Sequence, residues 1–169
     1  MSASVIRPRT SCDLDACAAI AVSVHELDGY PTFLGDSTFH TFIAPTDALG
    51  AWVATVDSTI VGHVVLRTRS APASSTLAAR ALDVEPEQLG FVARLLVAPA
   101  ARRRGVARRL LEHVVHEARE RDLDAVLDVV TRDVAAIALY DATGWRRLGG
   151  HTMTLRDGGT LELVVFAAP

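Results

Sequence analysis

The stretch Leu95-Leu96-Val97-Ala98-Pro99-Ala100-Ala101-Arg102-Arg103-Arg104-Gly105-Val106-Ala107 decides how the rest of the chain is read. An apolar run ends at a proline, a basic turn follows, and a glycine opens the next segment. A strand, a loop and the start of a helix give that order. The first N–H groups of a helix have no partner inside it and carry a partial positive charge. A diphosphate fits such a place. Gly105 has no side chain to hold a phosphate away from the backbone, and Ala107 is small for the same reason. Three arginines at the mouth add charge that neutralises phosphate.

Downstream, Ala107, Leu110, Leu111, Val114, Val115 and Ala118 fall at i, i+3, i+4, i+7, i+8 and i+11. That is one apolar stripe of an α-helix. Its other face, with Arg108, Arg109, Glu112, His113, Glu117 and Arg119, reads as solvated. Ala125–Val130 is a strand with one charge, Asp128. The unit from Leu89 to Val130 is therefore expected to be a right-handed βαβ crossover. Asp133 has the place of an N-cap for a helix to about Thr143, stopped by Gly144. Trp145–Leu155 and Thr160–Phe166 are the last strands, joined at Asp157-Gly158-Gly159.

Upstream, Ser4–Arg7 reads as a strand broken by Pro8. Thr10 and Asp13 have capping-box spacing for a helix to about His25, closed by the turn Asp28-Gly29-Tyr30-Pro31. From there to Pro45 the pattern is weak, with Phe33, Phe39 and Phe42 among Asp36 and His40. Ala51–Val56 and Thr59–Arg67 form a hairpin. Ser70–Pro86 reads as a polar link with a helical turn near Leu77–Leu82. Leu89–Val97 is a strand.

At 169 residues the chain suits one domain, residues 1–169, and its mean hydropathy of +0.26 gives ample material for a core. The net charge of -3 offers no global field for nucleic acid. All 17 basic residues are arginine, and lysine and asparagine are absent. That bias suits a GC-rich, bacterial coding sequence. Without lysine there is neither a Schiff base nor a P-loop. Cys12 and Cys17 fit neither a disulfide framework nor a zinc motif. No run suits a membrane span, and the N-terminus lacks a signal-peptide pattern, so a cytoplasmic protein is expected. His113 and His116 share a helix face but complete no metal motif, so no metal is expected.

Arg102, Gly105 and Ala107 resemble the Arg/Gln-x-x-Gly-x-Gly/Ala signature of the GNAT acyltransferase superfamily. Leu95, Val97 and Pro99 are similar to the strand that leads into it. Ala136-Ile137-Ala138-Leu139-Tyr140 with Thr143-Gly144-Trp145 resembles a second family segment. The likeness covers nearly the whole chain. It implies an α/β fold: a mixed, mostly antiparallel sheet of about seven strands, with helices on both faces and a splayed βαβ unit. It implies acetyl-CoA as acyl donor and an amine as acceptor. Backbone groups of Leu95, Leu96 and Val97 would hold the pantetheine. The loop Arg102, Arg103, Arg104, Gly105, Val106 and Ala107 would hold the pyrophosphate. Tyr140 stands where the family has its usual proton donor, and a tyrosine hydroxyl can act as a general acid.

Two departures from the family pattern follow. Asp133 stands where many members have an asparagine near the pantetheine; it still caps a helix, but when ionised it cannot donate a hydrogen bond. Phe91 and Ala93 occupy the places where members often carry a base, and neither accepts a proton. The base is then distant, acts through water, or is dispensable to an amine that arrives neutral. His25, Asp28, Tyr30 and His63, with Glu85 and Glu87, are the candidates for acceptor contact or base. A small-molecule amine is the first expectation for the acceptor. A protein amine and a non-catalytic CoA sensor are the alternatives. A homodimer is left open.

Overall fold

Residues 4–31 and 38–169 are described by the structure, a computed structural model. Phe33 and Asp36 lie outside them. The order is β1 (Val5–Pro8), α1 (Leu14–Asp28), α2 (Phe39–Ile43), β2 (Ala48–Val56), β3 (Thr59–Arg67), α3 (Pro72–Leu82), β4 (Leu89–Val97), α4 (Val106–Arg119), β5 (Asp124–Val130), α5 (Val134–Ala142), β6 (Arg146–Thr154) and β7 (Thr160–Ala167). The sheet has seven strands in the order β1-β2-β3-β4-β5-β7-β6. Pairs β1–β2, β2–β3, β5–β7 and β6–β7 are antiparallel, and β4–β5 is parallel. A parallel pair needs a crossover, and α4 supplies it.

The chain forms two compact units. The first takes in Met1–Arg67 and Ala93–Val114. In it, α1 starts after a 3-10 turn, Ser11–Asp13, where Asp13 accepts from Thr10 N–H at 2.7 Å and from both terminal nitrogens of Arg7 at 2.7 and 2.8 Å. These bonds hold the Asp13 carboxyl far below the usual carboxylate range. Gly29 ends α1 in the left-handed conformation, its N–H donating to His25 O. Cys17, Ile20, Ala21 and Val24 of α1 pack with Phe42 and Ile43 of α2 against Val53 and Leu96. On the opposite side of β3 a side chain at Gly62 would collide with Val106 and Leu110 of α4. Helices therefore cover both faces of this part of the sheet, and Gly62 lets α4 lie close.

The second unit takes in Thr68–Val92 and Val115–Pro169. Ala78 and Ala79 of α3 pack with Leu89, Phe91, Val126, Val165 and Ala167. Tyr140 of α5 packs on Phe166, which points away from Val165. The parallel ladder pairs Leu89, Gly90 and Phe91 with Asp124, Ala125 and Val126.

The structure corrects three local readings. Pro8 does not break β1; it ends it opposite Trp52, and β1 is an edge strand, where a proline is tolerated. The link after β3 is a full helix, α3, with Pro72 at its start and Asp83 left-handed at its end. Its buried face is Ser74, Ala78 and Ala79, so small residues concealed the period. His113 is half-buried edge-on to Trp52, with ring centroids 5.5 Å apart, rather than solvated.

Candidate active site

The basic turn leads straight into α4. Val106, Leu110, Leu111, Val114, Val115 and Ala118 are buried, so the apolar stripe fixes the helix and thereby aims its first turn. Arg109 N–H donates to Gly105 O, which makes Gly105 the cap and leaves the N–H groups of Val106, Ala107 and Arg108 without helical acceptors. Gly105 has φ +75, and a Cβ built there meets nothing within 4 Å. Arg103 is also left-handed, at φ 60. Successive N–H groups in such conformations form an anion-binding concavity. Arg103, Arg104 and Gly105 are exposed. Arg102 instead forms an ion pair with Asp28, 2.5 and 3.2 Å, which ties the turn to the end of α1. The two residues, assigned to separate roles from sequence, thus sit together.

Leu96 is buried beside Val53, while Leu95 and Val97 are half-buried on β4. His25 shares a hydrogen bond between Nδ1 and Pro31 O, 3.1 Å, and lies edge-on to Phe39. Only a protonated nitrogen can bond a carbonyl, so Nδ1–H is the donor. Tyr30 packs edge-on to Phe42 at 5.8 Å. Glu85 and Glu87 are exposed before β4.

His63 is fully buried and presents no nitrogen to an acceptor. Nδ1–H donates to Arg94 O at 3.1 Å, and Nε2 accepts from Arg9 at 3.0 Å. Arg9 also donates to Ile43 O. Burial, then the Arg9 charge, lowers the His63 pKa to about 4. The neutral ring braces the backbone of β4, and the expectation of an acceptor contact at His63 gives way to that role. The unfolded chain takes up this proton near its ordinary 6.5, so stability is fully present above that pH and falls between 6.5 and about 4. The expected loss is about 3 kcal/mol. Denaturant midpoints measured across that window should drop for the native protein and stay flatter in His63→Gln. Asp13 acts only further down the acid range, because its folded-state pKa lies below the ordinary carboxylate value.

In the second unit, Tyr140 is buried, its ring 5.8 Å from Trp145 and 5.6 Å from Phe166. Asp133 caps α5, accepting from Ala136 N–H at 3.1 Å. A polar cluster that sequence reasoning missed lies on β5. Asp128 accepts from Ser70 at 2.6 Å and from fully buried Ser74 at 2.5 Å, and Ser74 Oγ is 2.8 Å from His151 Nε2. Ser74 has one proton and gives it to Asp128, so Nε2–H of His151 is the donor. One hydroxyl thus joins a carboxylate to an imidazole. Its signal in the sequence was the lone charge inside an apolar strand. Among the described residues no group of His, Cys, Asp and Glu could hold a metal, and no helix is long and apolar enough to cross a membrane.

Comparison with known proteins bears on the family and the fold. The profile described as "Acetyltransferase (GNAT) family" matches residues 20–145. A search of the curated proteins finds no match. Several solved structures share the fold. The ribosomal-protein-S18-alanine N-acetyltransferase of Escherichia coli is 20% identical, with 99% of this chain and 94% of that one covered and a TM-score of 0.68. The proposed acetyltransferase yncA of Salmonella typhimurium, solved with its cofactor acetyl-CoA, is 19% identical, with 98% and 92% covered and a TM-score of 0.69. Arabidopsis thaliana NAA60, in complex with a bisubstrate analogue, is 19% identical, with 98% and 97% covered and a TM-score of 0.70. With the profile spanning most of the chain, and the phosphate-suited turn inside the span it matches, this protein belongs to the GNAT acetyltransferase family.

Proposed function

We propose that the chain is a single N-acetyltransferase domain that moves the acetyl group of acetyl-CoA to the amine of a small molecule, in the bacterial cytoplasm. The observation that carries this reading is the turn at Gly105: a left-handed glycine beside open space, at the head of a helix whose first N–H groups lack acceptors. The pyrophosphate is assigned to the backbone from Arg102 to Ala107, with Arg103 and Arg104 adding charge. The pantetheine amides are assigned to backbone groups of Leu95, Leu96 and Val97, with Asp133 as a further contact.

The amine nitrogen attacks the thioester carbonyl, and a C–N bond forms as the C–S bond breaks. Tyr140 gives its proton to the departing thiolate, the ammonium proton leaves to solvent, and the tyrosinate regains a proton from solvent, so no net proton is gained or lost. Phe91 is buried and Ala93 carries no titratable group, so the amine enters already neutral. A carboxylate or imidazole elsewhere is not required for that route. On this reading kcat/KM rises with pH toward the pKa of the particular amine and moves when the amine is changed.

Saturating acetyl-CoA should raise the melting temperature, because a ligand that binds only the native state stabilises it, by about 2.7 kcal/mol at a hundredfold excess over Kd. A thiol-release screen of many amines should then find turnover. Peptides with free N-termini belong in the same screen, since a protein acceptor would appear there. No thermal shift, with no heat of binding by calorimetry, would remove the proposal. Binding without thiol release from any amine or peptide would leave a CoA sensor in its place.

A further inference from the structure

Arg94 interrupts an otherwise uncharged strand, Leu89–Val97, and the function described so far gives it no task. Its backbone is left-handed, at φ 55, in the middle of β4. That conformation is strained for a non-glycine residue and persists only where the surroundings impose it. They do so here: the Arg94 carbonyl is fixed by buried His63, which is fixed in turn by Arg9. The consequence is a side chain turned toward α2. The guanidinium carbon lies 3.9 Å from the centre of the Phe42 ring, and Tyr30 flanks the same ring from α1's end.

Among the described residues this cation has no anion. Arg94 is half-buried, and its Nε is wholly buried without a hydrogen-bond partner. Among the described residues no carboxylate is paired with it. Within the same unit Arg7 holds Asp13, Arg67 holds Asp47 and Arg102 holds Asp28, while half-buried Arg9, without a carboxylate among the described residues, donates to Ile43 O and His63 instead. A half-buried charge without a counter-charge is costly, and the ring face of Phe42 offsets only part of that cost. A planar guanidinium matches a carboxylate through two parallel bonds. One such group, held by its stem and stacked on a ring, suits one monoanion.

We infer that Arg94 binds a carboxylate of the acceptor, so that the acceptor is an amine that also carries a carboxylate, of the amino-acid class. The inference rests on the acetyltransferase reading and narrows its substrate. Tyr30 is half-buried against the same buried Phe42 ring that Arg94 covers.

The test compares each acid with its own carboxamide as acceptor: L-phenylalanine, L-glutamate, β-alanine and 4-aminobutyrate, with thiol release as readout. The panel places the carboxylate at different distances from the amine. In the native protein at least one acid should exceed its amide in kcat/KM. In Arg94→Gln that ratio should fall by about 10–10²-fold, carried mainly by KM, since the contact is remote from the reacting carbon. Arg94→Lys, which restores the charge without the fork, should recover part of it. Melting temperatures of both variants, with and without acetyl-CoA, show whether they fold and bind the donor. Amides accepted as well as acids by the native protein would overturn the inference. So would an unchanged ratio in a folded Arg94→Gln, or acetyl-CoA binding with no acid of the panel turned over. Absence of acetyl-CoA binding by the native protein instead overturns the reading beneath it.

Discussion

A Gly105→Val protein should bind acetyl-CoA about 10²–10⁴-fold more weakly than the native chain, which corresponds to losing two charge-assisted hydrogen bonds of about 1.5–3 kcal/mol each. The loss has two sources. Gly105 sits at φ +75, where a β-branched residue is strained, so valine pulls the turn away from the shape that converges its N–H groups. The side chain would also stand in the space that a Cβ finds open, which on the proposed reading is the space a phosphate oxygen enters to reach the backbone. The fold itself should survive. No protein atom meets the added Cβ, and the strain of about 1–2 kcal/mol is small beside the stability of an ordinary domain. Calorimetry with acetyl-CoA measures the affinity, and the melting temperature without ligand separates misfolding from lost binding. Gly105→Ala, with the same strain and a shorter side chain, should fall between the two. A folded valine variant with native affinity would move the pyrophosphate away from this turn.

That turn was legible because its information is local. A proline after an apolar run, three arginines, one glycine and a stripe at helical spacing lie within a short span, and each has one structural meaning. Strand β4 and helix α4 accordingly occupy nearly the predicted residues. Helix α3 was read short because its buried face consists of Ser74, Ala78 and Ala79. Burial of alanine and serine leaves a faint period, and only packing against Val126 and Val165 shows why that face is inside. The site was legible unevenly for a related reason. Arg102 and Asp28 were each singled out, but 74 positions separate them, and no spacing rule could pair them. Asp128 was noted as the single charge of an apolar strand, whereas Arg94, the one charge of β4, was passed over. What gives them meaning is non-local: a left-handed backbone braced by His63 for one, and two serines from α3 and the segment before it for the other. His63 was read as a candidate for acceptor contact or base, and what its two nitrogens do depends on Arg9 and Arg94, which lie far from it in sequence.

Tyr140→Phe should lower kcat by about 10²–10⁴-fold, the usual worth of a positioned acid or base, while the Kd for acetyl-CoA stays unchanged. The substitution removes one oxygen and keeps the ring. That ring is the part of Tyr140 that packs on Trp145 and Phe166, so the core around α5 is preserved. The cap at Asp133 and the bond from Trp145 N–H to Tyr140 O hold both ends of the helix through groups the substitution does not touch. A role confined to packing therefore predicts a modest change in melting temperature and native turnover. A role as acid predicts the opposite pattern. Departure of a thiolate without a proton is disfavoured, so the loss should appear in kcat and in kcat/KM together, the mark of an interaction made only in the transition state. Steady-state kinetics with any accepted amine, beside calorimetry with acetyl-CoA, distinguishes the two. Turnover by Tyr140→Phe at the native rate would assign the thiolate's proton to water or to another side chain.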